Sequence, residues 1–188
     1  MKEIFEIRIH GRGGQGAKTA AQFIAEAALE KGKFIQSFPE YGPERSGAPM
    51  KAFARISDKE IKTYAPVTNP DVVLVLDQTL VGTINITDGL AKEGILIVNT
   101  SNTQEWLKKK TNFSGNCITI DATKISLETI GINMPNTPMI GSLIKATNIV
   151  TLDAVENIIK KKFLKKIGEK ATNANIEAIK RAFKETKK

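Results

Sequence analysis

The chain has 188 residues, 41% of them hydrophobic and 26% charged, with a formal net charge of +8. That length and mixture suffice for one well-buried core, fall short of two ordinary domains, and exclude a globally disordered chain. No apolar run approaches the roughly 18–20 residues that span a bilayer, and MKEIFEIRIH alternates as a strand does instead of forming the apolar centre of a signal peptide, so a cytoplasmic protein is expected.

In chain order, residues 4–9 (IFEIRI) read as a strand, GRGGQG as a tight loop, and Ala17–Lys31 as a helix whose Ala20, Phe23, Ile24, Ala27 and Ala28 share one face. Gly32 suits its C-cap. A second strand, FIQSF (34–38), leads into PEYGPERSGAP (39–49), a loop shaped by Pro and Gly. MKAFARIS (50–57) alternates as a strand, and KEIKTYA is expected to pair with it across a turn at Asp58–Lys59.

Three apolar runs follow: DVVLVLD (71–77), GILIVNT (94–100) and CITIDAT (117–123), the last ending on Asp121. Continuous apolar runs mark strands covered on both faces. QTLVGTINITDGLA contributes a helical turn, and TQEWLKKK a short amphipathic helix. MIGSLIKATNIV (139–150) is a helix entered through PNTP. TLDAVENIIKKKFLKK, with Thr151 or Asp153 as cap, and NANIEAIKRAFKE complete the helices. Strands alternating with helices predict an α/β fold: a Rossmann-like, mostly parallel sheet flanked by helices, with a short antiparallel or edge-strand insertion near 50–64. No repeat or linker divides residues 1–188.

Ligands of such sheets bind beyond the carboxyl ends of the strands, where GRGGQG, Asp77, Thr100–Ser101 and Asp121–Thr123 are expected to converge. Gly11, Gly13 and Gly16 satisfy G-x-G-x-x-G between a strand and a helix, the pattern that brings a pyrophosphate close to the main chain and to a helix N-terminus. Glycines that only permit a turn and close packing are the plainer alternative. A nicotinamide dinucleotide site also wants an acid closing the second strand. Here FIQSF ends without one, and Glu40 comes only after Pro39. A Walker loop is excluded, because no G-K-[ST] follows at the required spacing.

Glu44 and Arg45 stand between glycine and proline turns, where a rigid loop presents a guanidinium to a phosphate or carboxylate, or else pairs with itself. Asp88–Gly89 is a plain turn: the leading glycine of a thiamine-type GDG is missing. Cys117 is the only cysteine and His10 the only histidine. One thiol completes neither an iron–sulfur cluster nor a structural zinc site, and no second histidine joins His10. Residues 151–188 hold eleven Lys or Arg against five Asp or Glu, a net +6. This suits a solvated helix face or an acidic protein partner, and lacks the aromatic residues of a single-strand nucleic-acid surface.

Taken together, HGRGGQGAKTAAQFIAEAALEKGK, QSFPEYGPERSGAPMKAFARIS, NPDVVLVLD and the region around PNTPMIGSLIKAT resemble the gamma subunit of 2-oxoacid:ferredoxin oxidoreductases, most closely the pyruvate type. The resemblance spans roughly residues 5–150 and is most specific over 10–56. It implies a single gamma-type domain with a basic helical C-terminal segment from about 151, inside an oxygen-sensitive complex of anaerobic metabolism. Such a complex converts pyruvate, coenzyme A and oxidised ferredoxin to acetyl-CoA, carbon dioxide and reduced ferredoxin. Branched-chain 2-oxoacids and 2-oxoglutarate are the alternative substrates.

The resemblance further implies that alpha and beta subunits hold thiamine diphosphate and magnesium, that a ferredoxin-like delta subunit carries iron–sulfur clusters, and that ferredoxin accepts the electrons. No nucleic-acid or membrane partner is expected, no catalytic residue and no metal ligand. The candidate coenzyme-contact residues are Gly11, Arg12, Gly13, Gly14, Gln15, Gly16 and Arg45. They would receive a phosphate of coenzyme A or pack against a neighbouring subunit.

Overall fold

The computed structural model describes residues 3–40 and 47–187. Six strands, β1 (Ile4–Arg12), β2 (Phe34–Glu40), β3 (Pro49–Ser57), β4 (Val72–Val75), β5 (Ile95–Asn99) and β6 (Asn116–Ile120), form one sheet in the order β2-β3-β1-β4-β5-β6. β1, β4, β5 and β6 are mutually parallel, and β3 runs antiparallel to both of its neighbours. The helices are α1 (Ala17–Leu29), α2 (Gln104–Thr111), α3 (Ala122–Thr129), α4 (Asn136–Thr147) and α5 (Leu152–Glu185), the last broken at Gly168.

Strand alternation divides the core. Ile7 and Ile9 of β1, Ala52 and Ala54 of β3, Leu74, Ile97 and Ile118 face one way, into a cluster built with α1, α3, α4 and α5. Val73, Val75, Leu96, Val98 and Cys117 face the other way, against Leu80, Ile86, Leu107 of α2 and Phe113. β4, β5 and β6 are therefore covered on both sides, as their apolar runs predict. The small side chains of α1, among them Ala17, Ala20, Ala21, Ala27 and Ala28, let that helix lie close on the sheet.

On the second face, the β2–β3–β1 part of the sheet carries polar side chains under irregular segments. Arg55 donates to Glu6 Oε1 (2.9 Å), Gln36 Oε1 (3.1 Å) and the Ala65 carbonyl (2.5 Å), and lies over the Phe38 ring. Arg8 donates to the carbonyls of Ile86 (3.1 Å) and Asp88 (2.5 Å). These two buried guanidiniums hold down the segments around residues 61–65 and 84–88. Long cations serve this purpose where irregular backbone leaves carbonyls without a ladder partner.

The antiparallel insertion expected near 50–64 is β3, but KEIKTYA forms no strand. Both edges of β3 are already paired, with β1 and β2, so it offers no free ladder to residues 59–65. That segment is held instead by the side chains of Gln36 and Arg55. β2 is the edge, which accommodates Pro39. β1 runs three residues further than the predicted 4–9, and places Gly11 and Arg12 in strand opposite Met50 and Pro49. Helix α3 was not anticipated by the pattern. Part of the basic charge of α5 is spent within the fold, as Lys162 pairs with Glu26, Lys180 with Glu156, and Arg181 with Glu128 and Glu185. Among the described residues, no helix is long and apolar enough to cross a membrane.

Candidate functional site

The carboxyl ends of β4, β5 and β6 open on a polar cleft of about 380 Å³. Gln15, Asp77, Thr100, Ser101, Asp121 and Thr123 line it, so the convergence expected from the sequence is present. Each contributing strand passes from apolar residues to Asp or Asn as it leaves the sheet: VLD at Asp77, IVN at Asn99, TID at Asp121. These side chains then work locally. Asp77 caps the turn at Gln78–Leu80, and Asp121 caps α3 through the Lys124 N–H. Asn99 donates to the Leu76 carbonyl and Thr123 Oγ1, and accepts from the Thr123 N–H.

The glycine loop is fixed by its own polar residues. Gln15 Oε1 accepts from the Arg12 N–H (2.7 Å), and Gln15 Nε2 donates to Asp77 Oδ2 (2.8 Å). Arg12 Nε reaches the same oxygen at 3.2 Å, Arg12 Nη2 donates to Thr79 Oγ1 (2.9 Å), and Arg12 Nη1 donates to the Gly47 carbonyl (3.2 Å). The Gly13 N–H donates to the Ala48 carbonyl and the Gln15 N–H to that of Arg12. Arg12 and Gln15 thus tie β1 to the end of β4. Gly14 and Gly16 both have positive φ, 96° and 79°. Arg45, the remaining candidate, lies outside the described residues.

Burial opposes ionisation of Asp77, but hydrogen bonds from Thr79 and Gln15, the Thr79 N–H and the nearby Arg12 charge outweigh it and hold the carboxyl below its usual range. A lowered folded-state pKa contributes stability that is present above the unfolded value and lost as pH falls through the folded one. Asp77→Asn is therefore expected to destabilise the chain by about 1–2 kcal/mol at pH 7. Denaturant titrations should show that gap closing as pH drops below about 4. A gap that persists unchanged in acid would contradict this role for the charge.

Two helices start at this rim without a side-chain cap: α1 at Gly16 and α4 at Pro135. α2, α3 and α5 are capped by Thr103, Asp121 and Thr151. Neither uncapped helix has an acid in its first turn. Asn136, at the start of α4, lies against Gly16, with Nδ2 at 3.5 Å from the Gly16 carbonyl and Oδ1 buried and unpartnered. The two N-termini therefore meet beside the cleft, which Asn133 and Pro135 also line. Their free amides and dipoles favour an anion at this place. Asn99, Asn133 and Asn136 were not singled out from sequence, although the shift from apolar run to Asp or Asn is a readable signal for the first.

Residues 6–185 match the family described as pyruvate ferredoxin/flavodoxin oxidoreductase. The chain belongs to this family. It is similar to pyruvate synthase subunit PorC of Thermotoga maritima, at 52% identity over 99% of this chain and 96% of that one. The pyruvate/ketoisovalerate oxidoreductases common subunit gamma of Pyrococcus abyssi is 46% identical over 97% of each chain. The crystal structure of the pyruvate oxidoreductase subunit PORC from Thermotoga maritima superposes with a TM-score of 0.90 over 99% of this chain and 98% of that one. The pyruvate ferredoxin/flavodoxin oxidoreductase fold here is thus the mixed six-stranded sheet described above, with the glycine loop at its carboxyl edge.

An iron–sulfur cluster needs several cysteine thiolates, and the sequence holds one cysteine. Its single thiol, Cys117, is buried, and burial pushes its pKa up, the wrong direction for a thiolate ligand. Among the described residues, no three His, Cys, Asp or Glu side chains gather as a metal site.

Proposed function

We propose that this chain is the gamma subunit of a cytoplasmic pyruvate:ferredoxin oxidoreductase. The complex oxidises pyruvate in the presence of coenzyme A to acetyl-CoA and carbon dioxide, and passes the electrons to ferredoxin. The observation that carries this reading is the likeness to pyruvate synthase subunits along nearly the whole chain. Alpha and beta subunits with thiamine diphosphate and magnesium, and a ferredoxin-like delta subunit with iron–sulfur clusters, supply the carbanion and redox chemistry. This chain supplies an assembly surface and a binding rim.

At that rim, a phosphate of coenzyme A takes the amides of Gly14 and of the first turn of α1, beside the start of α4, with Arg45 as its countercharge. Asp77 and Asp121 repel phosphate from the cleft floor, whose Asn, Thr and Ser groups suit the hydroxyls and amides of the same coenzyme. In the assembled complex, Gly13→Asp should raise the KM for coenzyme A about tenfold, since a new carboxylate faces the phosphate. An unchanged KM in an intact complex removes coenzyme binding from this loop and leaves it as an interface element. The interface reading in turn expects Arg45→Ala to impair assembly.

The choice of 2-oxoacid belongs to other subunits. The Pyrococcus abyssi relative is named as a subunit common to pyruvate and ketoisovalerate oxidoreductases, and a shared part does not tell two substrates apart.

A further inference from the structure

The helix-free face of β2–β3–β1 carries a group used by neither the cleft nor the core. His10, Lys51 and Glu40 form one cross-strand row, with His10 opposite Lys51 and Lys51 opposite Glu40. His10 is 1% exposed, and both of its ring nitrogens lack a hydrogen-bond partner. Arg8, two residues earlier on the same face, has a buried and unpaired Nε. His10 borders a cavity of about 300 Å³, which it lines with Glu40, Met50, Lys51, Ile84 and Asn85. None of these residues lines the glycine-loop cleft.

Burial, and then the charges of Arg8 and Lys51, hold the His10 pKa down to about 3. The ring is neutral at pH 7 and sits in a positive field. A neutral imidazole has one N–H donor and one acceptor nitrogen, and leaving both unused in the interior is costly. The missing partner is a hydrogen-bond acceptor that also tolerates the cationic surroundings. A planar monoanion with two acceptor oxygens meets both conditions. A phosphate dianion is disfavoured by Glu40, whose carboxylate is 3.6 Å from Lys51 Nζ.

We infer that this cavity binds a small carboxylate, which accepts a hydrogen bond from the His10 ring and lies against the Lys51 ammonium, with its short apolar end on Ile84. The site is independent of the coenzyme rim.

His10 is the only histidine, so its ring nitrogens give a single set of signals in a nitrogen-15 spectrum of the full chain. Sodium acetate should shift them saturably at pH 7, while sodium chloride at the same ionic strength leaves them in place. Lys51 is half-exposed, so Lys51→Met keeps the fold and should weaken acetate binding about tenfold. Ring signals unmoved by acetate overturn the inference. So does a shift reproduced by chloride, one matched or exceeded by inorganic phosphate, or acetate binding by Lys51→Met equal to that of the parent chain.

Discussion

Gly141→Ala is expected to destabilise the chain by about 2 kcal/mol or more, although alanine is the better helix former. Gly141 lies in α4, and a Cβ there would stand 2.2 Å from the Ile179 carbonyl oxygen and 3.1 Å from the Phe183 nitrogen. Both are backbone atoms of α5 and have no rotamer through which to withdraw. The helices must move apart, loosening Ile140, Leu143 and Ile144 from Ile176, Ile179 and Ala182 in the main core. Helix propensity returns about 1 kcal/mol, and overpacking with lost burial costs more than that. Urea unfolding should show a lower midpoint with an unchanged slope. A midpoint equal to or above that of the parent would mean that α4 and α5 do not meet at this point.

Gly16→Ala should cost about 2–3 kcal/mol, in two separable parts. Gly16 holds φ 79° and ψ 21°, a left-handed conformation that an L side chain adopts at about 1 kcal/mol. The new Cβ would also lie 2.5 Å from Asn136 Nδ2 and 2.7 Å from Asn136 Cγ. Asn136 is buried at the start of α4 and has little room to turn. In an Asn136→Ala background the two closest contacts disappear and only the 3.2 Å approach to the residue's Cβ remains, while the backbone term stays. The double-mutant cycle should therefore show a coupling of about 1 kcal/mol or more. Strict additivity would contradict the contact between the two helix starts on which the anion rim depends.

Much of this architecture was legible because the local signals agreed with the tertiary ones. The runs at 71–77, 94–100 and 117–123 hold consecutive apolar residues at their centres (VVLVL, ILIV, and CI with Ile120) because both sheet faces are covered. The placement of GRGGQG between strand and helix located the cleft correctly. Three features were not legible for identifiable reasons. KEIKTYA alternates like a strand, yet whether it pairs depends on a free ladder edge, and β1 and β2 had taken both edges of β3. Helix α3 was hidden by its N-cap: Asp121 reads as the end of a strand, and only the Lys124 N–H bonding back to it marks a helix start.

The third is the role of Arg12 and Gln15. In sequence they are loop residues beside glycines, free to meet a ligand. In the fold the Arg12 side chain is spent on Asp77, Thr79 and the Gly47 carbonyl, and that of Gln15 on Asp77 and the Arg12 N–H, which leaves the loop's amides and the start of α4 at the rim. The partnership of Gly16 with Asn136, 120 residues apart, leaves no trace in any local pattern.

The central claim is that this chain works as one part of a larger redox enzyme and catalyses nothing alone. Anaerobic affinity purification of the tagged chain from its native cells, with identification of the co-eluting subunits, tests it most directly. Stoichiometric thiamine diphosphate-binding and iron–sulfur proteins are expected to co-elute, with pyruvate-dependent ferredoxin reduction only in that assembly. Recovery of the chain with partners that include no thiamine-binding protein, or pyruvate turnover by the isolated chain, would contradict it.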